Sequence, residues 1–358
     1  METRFSIGGI PVGGNAPPLV LPDIGTFFND DLAVAESLLR RVMDAGASIV
    51  KGEILHTAHI ALDDDTLERY YDPASGMVAE RYRSLIERKV VSLPQYERLF
   101  SICRDAGIPF VLSVYDIAGA DFARNIGACA LKIASTNLVH APLIRHVAGF
   151  GLPMLIDTGK STLEEIARAV QWARDAGARQ LVVEHSPEPP PAPLENHHLR
   201  MLQTFSSVFG VPVGLSDHHS GEEMLYAAAA LGASILEKGV CPTDMAADQD
   251  VFHALPVDRL AEVIVKCGNI HRALGMGMRH LPGDRSRPVA RMGLVARSDL
   301  RGGDVISLNT VDFAFPAKGI PVEEWDRVLG WRLVVDRPAG TPIAWHHVRS
   351  HSAQNPGT

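Results

Sequence analysis

The stretch 211-VPVGLSDHHSGEE-223 decides the fold of this chain. An apolar run ends in Ser216, Asp217, His218 and His219, and Ser220-Gly221 opens an alanine-rich helical segment, 221-GEEMLYAAAALG-232. Strand, polar tip and helix start form the unit by which α/β proteins present chemistry, because ligands bind outside the carboxyl ends of the strands.

Working outward, the unit recurs. Upstream lie 19-LVLPDIG-25, 48-SIVKGEIL-55, 108-IPFVLSVYD-116, 130-ALKIAS-135, 153-PMLIDTG-159 and 180-QLVVEHS-186, and downstream 234-SILEKGV-240. A helical segment follows each. The first is 30-DDLAVAESLLRRVMDAG-46, with Asp30 or Asp31 as N-cap and Gly46 as stop; the last is 256-PVDRLAEVIVKCGNIHRAL-274. The third is a short helix around 120–127. Residues 57–92 read as an irregular, charged insertion with a helical patch at 78-VAERYRSLIERK-89. The strands are short and apolar without alternation, as expected when both faces are buried. Eight such units predict a (β/α)8 TIM barrel with its site at the C-terminal rim. A doubly wound open sheet is disfavoured because no Gly-rich phosphate turn follows the first strand.

Around the barrel, expected at 18–275, the composition shifts. Residues 1–17 are Gly/Pro-rich and read as an arm, 276–288 as a linker, 289–350 as a small β-rich domain and 351–358 as a disordered tail. A net charge of -8 and the lack of any Lys/Arg run argue against nucleic acid as partner. Cys103, Cys129, Cys241 and Cys267 are scattered with no CxxC pair, which disfavours zinc and disulfide frameworks and points to a reducing, cytoplasmic setting. No signal peptide and no membrane span are expected.

The strand tips carry Asp23, Lys51, Glu53, Ser113, Asp116, Lys132, Ser135, Asp157, Thr158, His185, Ser186, Ser216, His218, Glu237 and Lys238. A buried ammonium needs an anion. Lys51 and Lys132 therefore either form structural ion pairs with groups such as Asp23 and Glu53, or hold a phosphate or carboxylate together with the serines. The pairing of two lysines with three serines favours the anionic ligand. His218 is the candidate metal ligand or acid/base, set against a histidine that merely hydrogen-bonds the rim. His219 is expected to point away from the barrel axis. The proline-rich 187-PEPPPAP-193 reads as a stiff lid edge, and the remaining histidines as surface groups.

In order, the blocks VK at 50–51, GIPFVLSVYD at 107–116, LKIAS at 131–135, DTGKST at 157–162, PVGLSDHHSG at 212–221 and LGASILEK at 231–238 resemble the sialic acid synthase family. That family covers N-acetylneuraminate, legionaminate and pseudaminate synthases. RSDLRGGDVIS at 297–307 and KGIP at 318–321 resemble its antifreeze-like (SAF) domain. The resemblance implies a TIM barrel followed by a SAF domain and a divalent metal, manganese or magnesium. It implies condensation of phosphoenolpyruvate with an open-chain sugar aldehyde, with C–O cleavage and phosphate release. It also implies a homodimer in which each SAF domain covers the partner's site. Carried over by position, Lys51, Ser113, Lys132, Ser135, Thr158 and Ser216 match phosphoenolpyruvate-binding residues. His218 matches a metal ligand, and Asp23, Glu53, Glu237 and Lys132 the catalytic set.

The departures cluster in the site. Asp23 stands for the family's glutamate, Glu53 for a glutamine, and Asp157 for a phosphoenolpyruvate-binding serine. Gly239 stands where the second metal histidine belongs, leaving His185, Cys241, Asp244 and Asp23 as substitutes. Phe315 replaces the arginine that would reach a partner's acyl-amino sugar. Two other functions compete with the synthase: a homologue that binds without catalysis, and an aldolase or lyase with Lys132 as Schiff base.

Overall fold

The computed structural model describes residues 2–26, 28–72, 76–187, 192–243, 251–275, 277–278 and 290–350. The chain divides into two compact units, Met1–Gly275 and Met276–Thr358. The expected linker lies mostly, and the expected tail wholly, outside the described residues, as does most of the 187–193 loop.

The first unit is a closed, all-parallel barrel. Its strands are β1 (Leu19–Asp23), β2 (Val50–Ile54), β3 (Phe110–Val114), β4 (Ala130–Ile133), β5 (Met154–Asp157), β6 (Leu181–His185), β7 (Val213–Asp217) and β8 (Ile235–Cys241). Each pairs with its sequence neighbours, and β8 closes the ring onto β1. Eight helices pack outside: α1 (Leu32–Asp44), α2 (Leu93–Asp105), α3 (Ile117–Asn125), α4 (Ala141–Ala148), α5 (Leu163–Asp175), α6 (Met201–Phe209), α7 (Glu223–Ala230) and α8 (Leu260–Leu274). Asp31 rather than Asp30 caps α1, accepting from the amides of Ala33 and Val34. Thr162 and Glu165 form a capping box on α5.

Strand side chains alternate, so every second residue faces the barrel interior. The inner layer nearest the amino ends is apolar: Leu21, Ile49, Val111, Ala130, Leu155, Val182 and Ile235 form one buried cluster. Two residues further along each strand the same face carries Asp23, Lys51, Ser113, Lys132, Asp157, Glu184 and Glu237. One step of the pleat thus turns a packed core into a charged pocket floor. The outward faces of the strands and the inner faces of the helices make the larger core, with Leu39, Phe100, Val170 and Leu225 fully buried.

The opening residues, expected as an arm, form an antiparallel hairpin, Arg4–Ile7 with Ile10–Gly13. Gly8 and Gly9 both have positive φ, the backbone that a two-residue turn of this hand requires. Phe5, Ile7 and Val12 join the apolar inner cluster. A Cβ on Gly8 would strike Pro109 just before β3, and one on Gly13 would meet Pro212 just before β7. The hairpin therefore plugs the amino end of the barrel.

Two local expectations change. The patch at 78–89 splits into strand Gly76–Arg81, paired with Leu67–Asp72, and a short helix Tyr82–Glu87. Alternating exposure along 76–81 is the period of a half-exposed strand, which overrides the helix-forming residues there. The helix expected around 120–127 begins at Ile117, because Asp116 caps it by accepting from the Gly119 amide.

The second unit has two short antiparallel pairs, Gly293–Ala296 with Val311–Ala314 and Arg332–Leu333 with Val348–Arg349. Its own core includes Leu294, Ile306, Val311, Ile320, Val328 and Ile343. Among the described residues no helix is long and apolar enough to cross a membrane. The four cysteines are free thiols.

Candidate active site

A cavity opens at the carboxyl ends of the strands, lined by Asp23, Lys51, Glu53, Ser113, Lys132, Ser135, Asp157, Ser216, His218 and Glu237. Every predicted site residue except Thr158 reaches it. The Thr158 hydroxyl donates to the Glu184 carbonyl at 2.8 Å, and the residue lines a separate depression beside His185 and Asn196.

Two lysines organise the floor. Lys51 Nζ lies 2.5 Å from Asp23 Oδ2 and 3.6 Å from both Glu53 and Glu237. Burial alone would pull its pKa down; Asp23, Glu237 and Glu53 override this and raise it above the ordinary lysine value. Lys132 Nζ sits 2.5 Å from Glu237 Oε1, 2.9 Å from Asp157 and 3.1 Å from Glu184, and donates to Ser216 Oγ at 3.2 Å. Its pKa too is depressed by burial and lifted well above the ordinary value by the same three carboxylates. An ammonium held so firmly protonated is a poor amine nucleophile, which counts against Schiff-base chemistry at Lys132.

The carboxylates divide by environment. Burial raises the Asp157 pKa, but the adjacent Lys132 charge wins and lowers it to about 2. Glu184 is pushed up to about 8 by burial, with Glu237 and Asp157 adding to the rise and Lys132 only partly offsetting it. Burial and the neighbouring carboxylates thus favour the protonated form of Glu184, against the pull of Lys132. Room for it exists because its neighbour across the barrel wall is Gly214, where a Cβ would stand 2.9 Å from Glu184 Cγ.

Lys51, Lys132 and the serines led to the expectation of a cationic rim suited to an anion. In the structure these lysines face carboxylates as well as the cavity. Lys51, Lys89, Lys132 and Lys160 line the cavity against Asp23, Glu53, Asp157, Asp217 and Glu237, so its charges are close to balanced. Asp217 is matched by Lys238 at 2.8 Å, a buried pair. The ion pairs of Lys51 and Lys132 correspond to the structural alternative that the sequence left open.

Asp157, Glu184 and Glu237 place ligand oxygens within 4.8 Å of one another, a cluster that could hold a metal ion. The Lys132 ammonium already occupies its centre. His218 lines the cavity from just beyond β7, with Nδ1 3.4 Å from Ser186 Oγ. His219 turns away, as expected, to Glu223 at 2.8 Å. His185, considered as a substitute ligand, bonds the His197 carbonyl at 2.7 Å and packs on Phe205 outside the barrel. Cys241 is buried in the outer core, where burial raises its thiol to about 11. Asp244 lies outside the described residues. His253, taken from sequence for a surface group, is 5% exposed and lines the same cavity. Its ring centroid is 4.9 Å from that of His218.

Sequence reasoning missed Glu184 and His253. Glu184 carries a usable signal, since it lies two residues beyond the inward-facing Val182. His253 carries none, because it arrives on a short turn, Val251–His253, outside the strand pattern. Glu53 gains a partner not anticipated, the Tyr115 hydroxyl at 2.6 Å.

A parallel eight-stranded barrel with a paired-lysine floor, followed by a separate small β unit, places this chain in a defined class. It belongs to the NeuB family, whose profile matches residues 38–279; the SAF domain profile matches 291–349. An uncharacterised protein of Methanocaldococcus jannaschii is 27% identical over 346 residues, 96% of this chain and 98% of that one. The N,N'-diacetyllegionaminic acid synthase of Legionella pneumophila is 25% identical over 359 residues, 98% of this chain and 100% of that one. In fold, the N-acetylneuraminic acid synthetase of Leptospira borgpetersenii superposes with a TM-score of 0.70 at 22% identity, over 81% of this chain and 96% of that one.

Proposed function

We propose that this chain is a divergent phosphoenolpyruvate-dependent synthase that condenses phosphoenolpyruvate with a sugar-type aldehyde to a 2-keto-3-deoxy acid. C3 of phosphoenolpyruvate forms the new bond to the aldehyde carbon, whose oxygen takes a proton. Water adds at C2, and the bond from C2 to the phosphate oxygen breaks, releasing inorganic phosphate. The reading is supported by one observation above the rest. Lys51, Ser113, Lys132, Ser135, Ser216 and Glu237, the residues that the family resemblance singles out, converge on one cavity at the carboxyl end of the barrel.

In this reading Lys51 and Lys132 exchange part of their contact with the carboxylates for the substrate's phosphate and carboxylate. Ser113, Ser135 and Ser216 supply neutral hydrogen bonds to the same anion. Lys160, at the cavity edge with a left-handed backbone (φ 56°), offsets Asp157. Glu237 lies between the two lysines and is placed to take a proton from the water that adds at C2. Asp23 and Glu53 hold Lys51 in place. The imidazole of His218 fits a divalent transition-metal ion such as manganese, while magnesium would rest on the cavity carboxylates; either, when bound, would supply Lewis-acid polarisation of the aldehyde. Free cysteines favour the reducing cytoplasm as setting. The assembly is proposed as a domain-swapped homodimer; the exposed Phe315 of the SAF unit is an apolar side chain for a partner to cover.

A second reading has its own observation: Asp157, standing where the resemblance puts a phosphoenolpyruvate-binding serine, and Glu184 crowd the Lys132 ammonium. That favours a homologue which binds a ligand without condensing it. Incubating the protein with phosphoenolpyruvate, Mn2+ and a panel of aldoses, and measuring released phosphate, separates the two. Phosphate release dependent on one aldose supports the synthase. No release with any aldose, together with no phosphoenolpyruvate heat in calorimetry, refutes it.

A further inference from the structure

The family's second metal histidine is missing from β8, and its place is Gly239. The cavity wall at Gly239 is nonetheless not short of an imidazole. The turn Val251–His253 brings His253 into the same cavity as Gly239, His218 and Glu237. We infer that His253 has taken over the vacated position, and that His218 and His253 together form a two-imidazole site for a divalent transition-metal ion.

Three features of His253 carry this. Its side chain is buried, yet among the described residues Nδ1 has no hydrogen-bond partner. A buried polar atom left unpaired is costly in a folded protein and calls for an explanation, an absent ion among them. The spacing to His218 is the second feature. Two imidazoles bound to one ion at about 2.1 Å per nitrogen, with an angle between octahedral and tetrahedral at the metal, place their ring centroids about 4.6–5.3 Å apart. The observed 4.9 Å falls within that interval. Third, of the described substitutes for a second ligand, His185 faces outside the barrel, Cys241 is in the core, and Asp23 is held by Lys51. A ligand moved from a strand to the following turn keeps the donor type while changing which side of the ion it approaches from.

The inference deepens the metal part of the proposed function but is tested without turnover. The full chain is titrated with Mn2+ alone, with no phosphoenolpyruvate or aldehyde, by calorimetry and by electron paramagnetic resonance. Expected is one site in the parent protein, with nitrogen couplings from two imidazoles. His253→Gln keeps the shape of the side chain and is checked by circular dichroism and thermal melting. It is expected to weaken Mn2+ binding at least about 10- to 100-fold and to leave a single imidazole coupling. Adding Gly239→His to His253→Gln is expected to restore the second coupling. Unchanged Mn2+ affinity and unchanged couplings in folded His253→Gln would overturn the inference, as would the absence of any Mn2+ site in the parent protein. A protein that binds Mn2+ through both rings but releases no phosphate keeps this inference and sinks the synthase reading alone.

Discussion

Replacing Glu184 by glutamine should stabilise the barrel at alkaline pH and do almost nothing at acid pH. Glu184 is fully buried on β6, 3.1 Å from the Lys132 ammonium, with a pKa moved from 4.5 to about 8. Two effects compete. If attraction to Lys132 dominated, removing the charge would destabilise. Burial and the neighbouring carboxylates dominate instead, which is why the pKa rises. A folded pKa above the unfolded one means that the stabilisation from keeping Glu184 protonated is complete below about 4.5 and is lost as pH rises to about 8. The full shift corresponds to about 5 kcal/mol. Glutamine has no proton to lose and nearly the same shape, so it fits the space left by Gly214. At about 2 °C per kcal/mol for a domain of this size, the melting temperature of Glu184→Gln relative to the parent should climb by about 10 °C between pH 5 and pH 9. Differential scanning calorimetry across that range measures it. A difference that stays flat with pH, or a variant less stable than the parent at pH 9, would refute the reasoning.

Further outcomes follow from the same geometry. Gly214→Ala forces its Cβ to within 2.9 Å of Glu184 Cγ and should cost about 1–3 kcal/mol in urea unfolding. Ile7→Ala, at a fully buried position in the plug, should cost about 2–5 kcal/mol and leave the circular dichroism of the barrel intact. Lys51→Met strands Asp23 beside Glu53 and Glu237, so stability at pH 7 should fall by about 3–5 kcal/mol. The same variant should lose the calorimetric heat of phosphoenolpyruvate binding; heat retained in folded protein would remove Lys51 from the proposed anion site.

The barrel was legible because eight apolar runs, each ending in polar residues and leading into a helix, leave few alternatives. The inward position of Lys51, Lys132, Ser216 and Glu237 follows from the same strands, since period-2 alternation puts them above Ile49, Ala130 and their neighbours. Glu184 follows from the same inward register, two residues beyond Val182, and is masked in the sequence only by the more conspicuous polar tip His185-Ser186. The balance of charge was not legible: whether a lysine faces a ligand or a carboxylate depends on strands far apart in sequence, as Lys132 and Glu237 are. The opening hairpin was hidden by its shortness, four residues per strand interrupted by glycines. His253 depends on the path of a turn that no periodicity dictates.

The hairpin has a consequence for how the chain is made. Phe5, Ile7 and Val12 are made before every strand of the barrel, yet the socket they fill includes Val182 on β6 and Ile235 on β8, among the last strands to emerge. Domains made amino end first bury early segments early only when their partners are already present. Here the plug must wait, exposed, for most of the barrel's synthesis. Its hydrophobic side chains are few and its strands short, which keeps the waiting segment a poor template for association. Closing the ring and seating the plug therefore coincide, and a segment made ahead of the whole barrel is seated only when its last strands are in place.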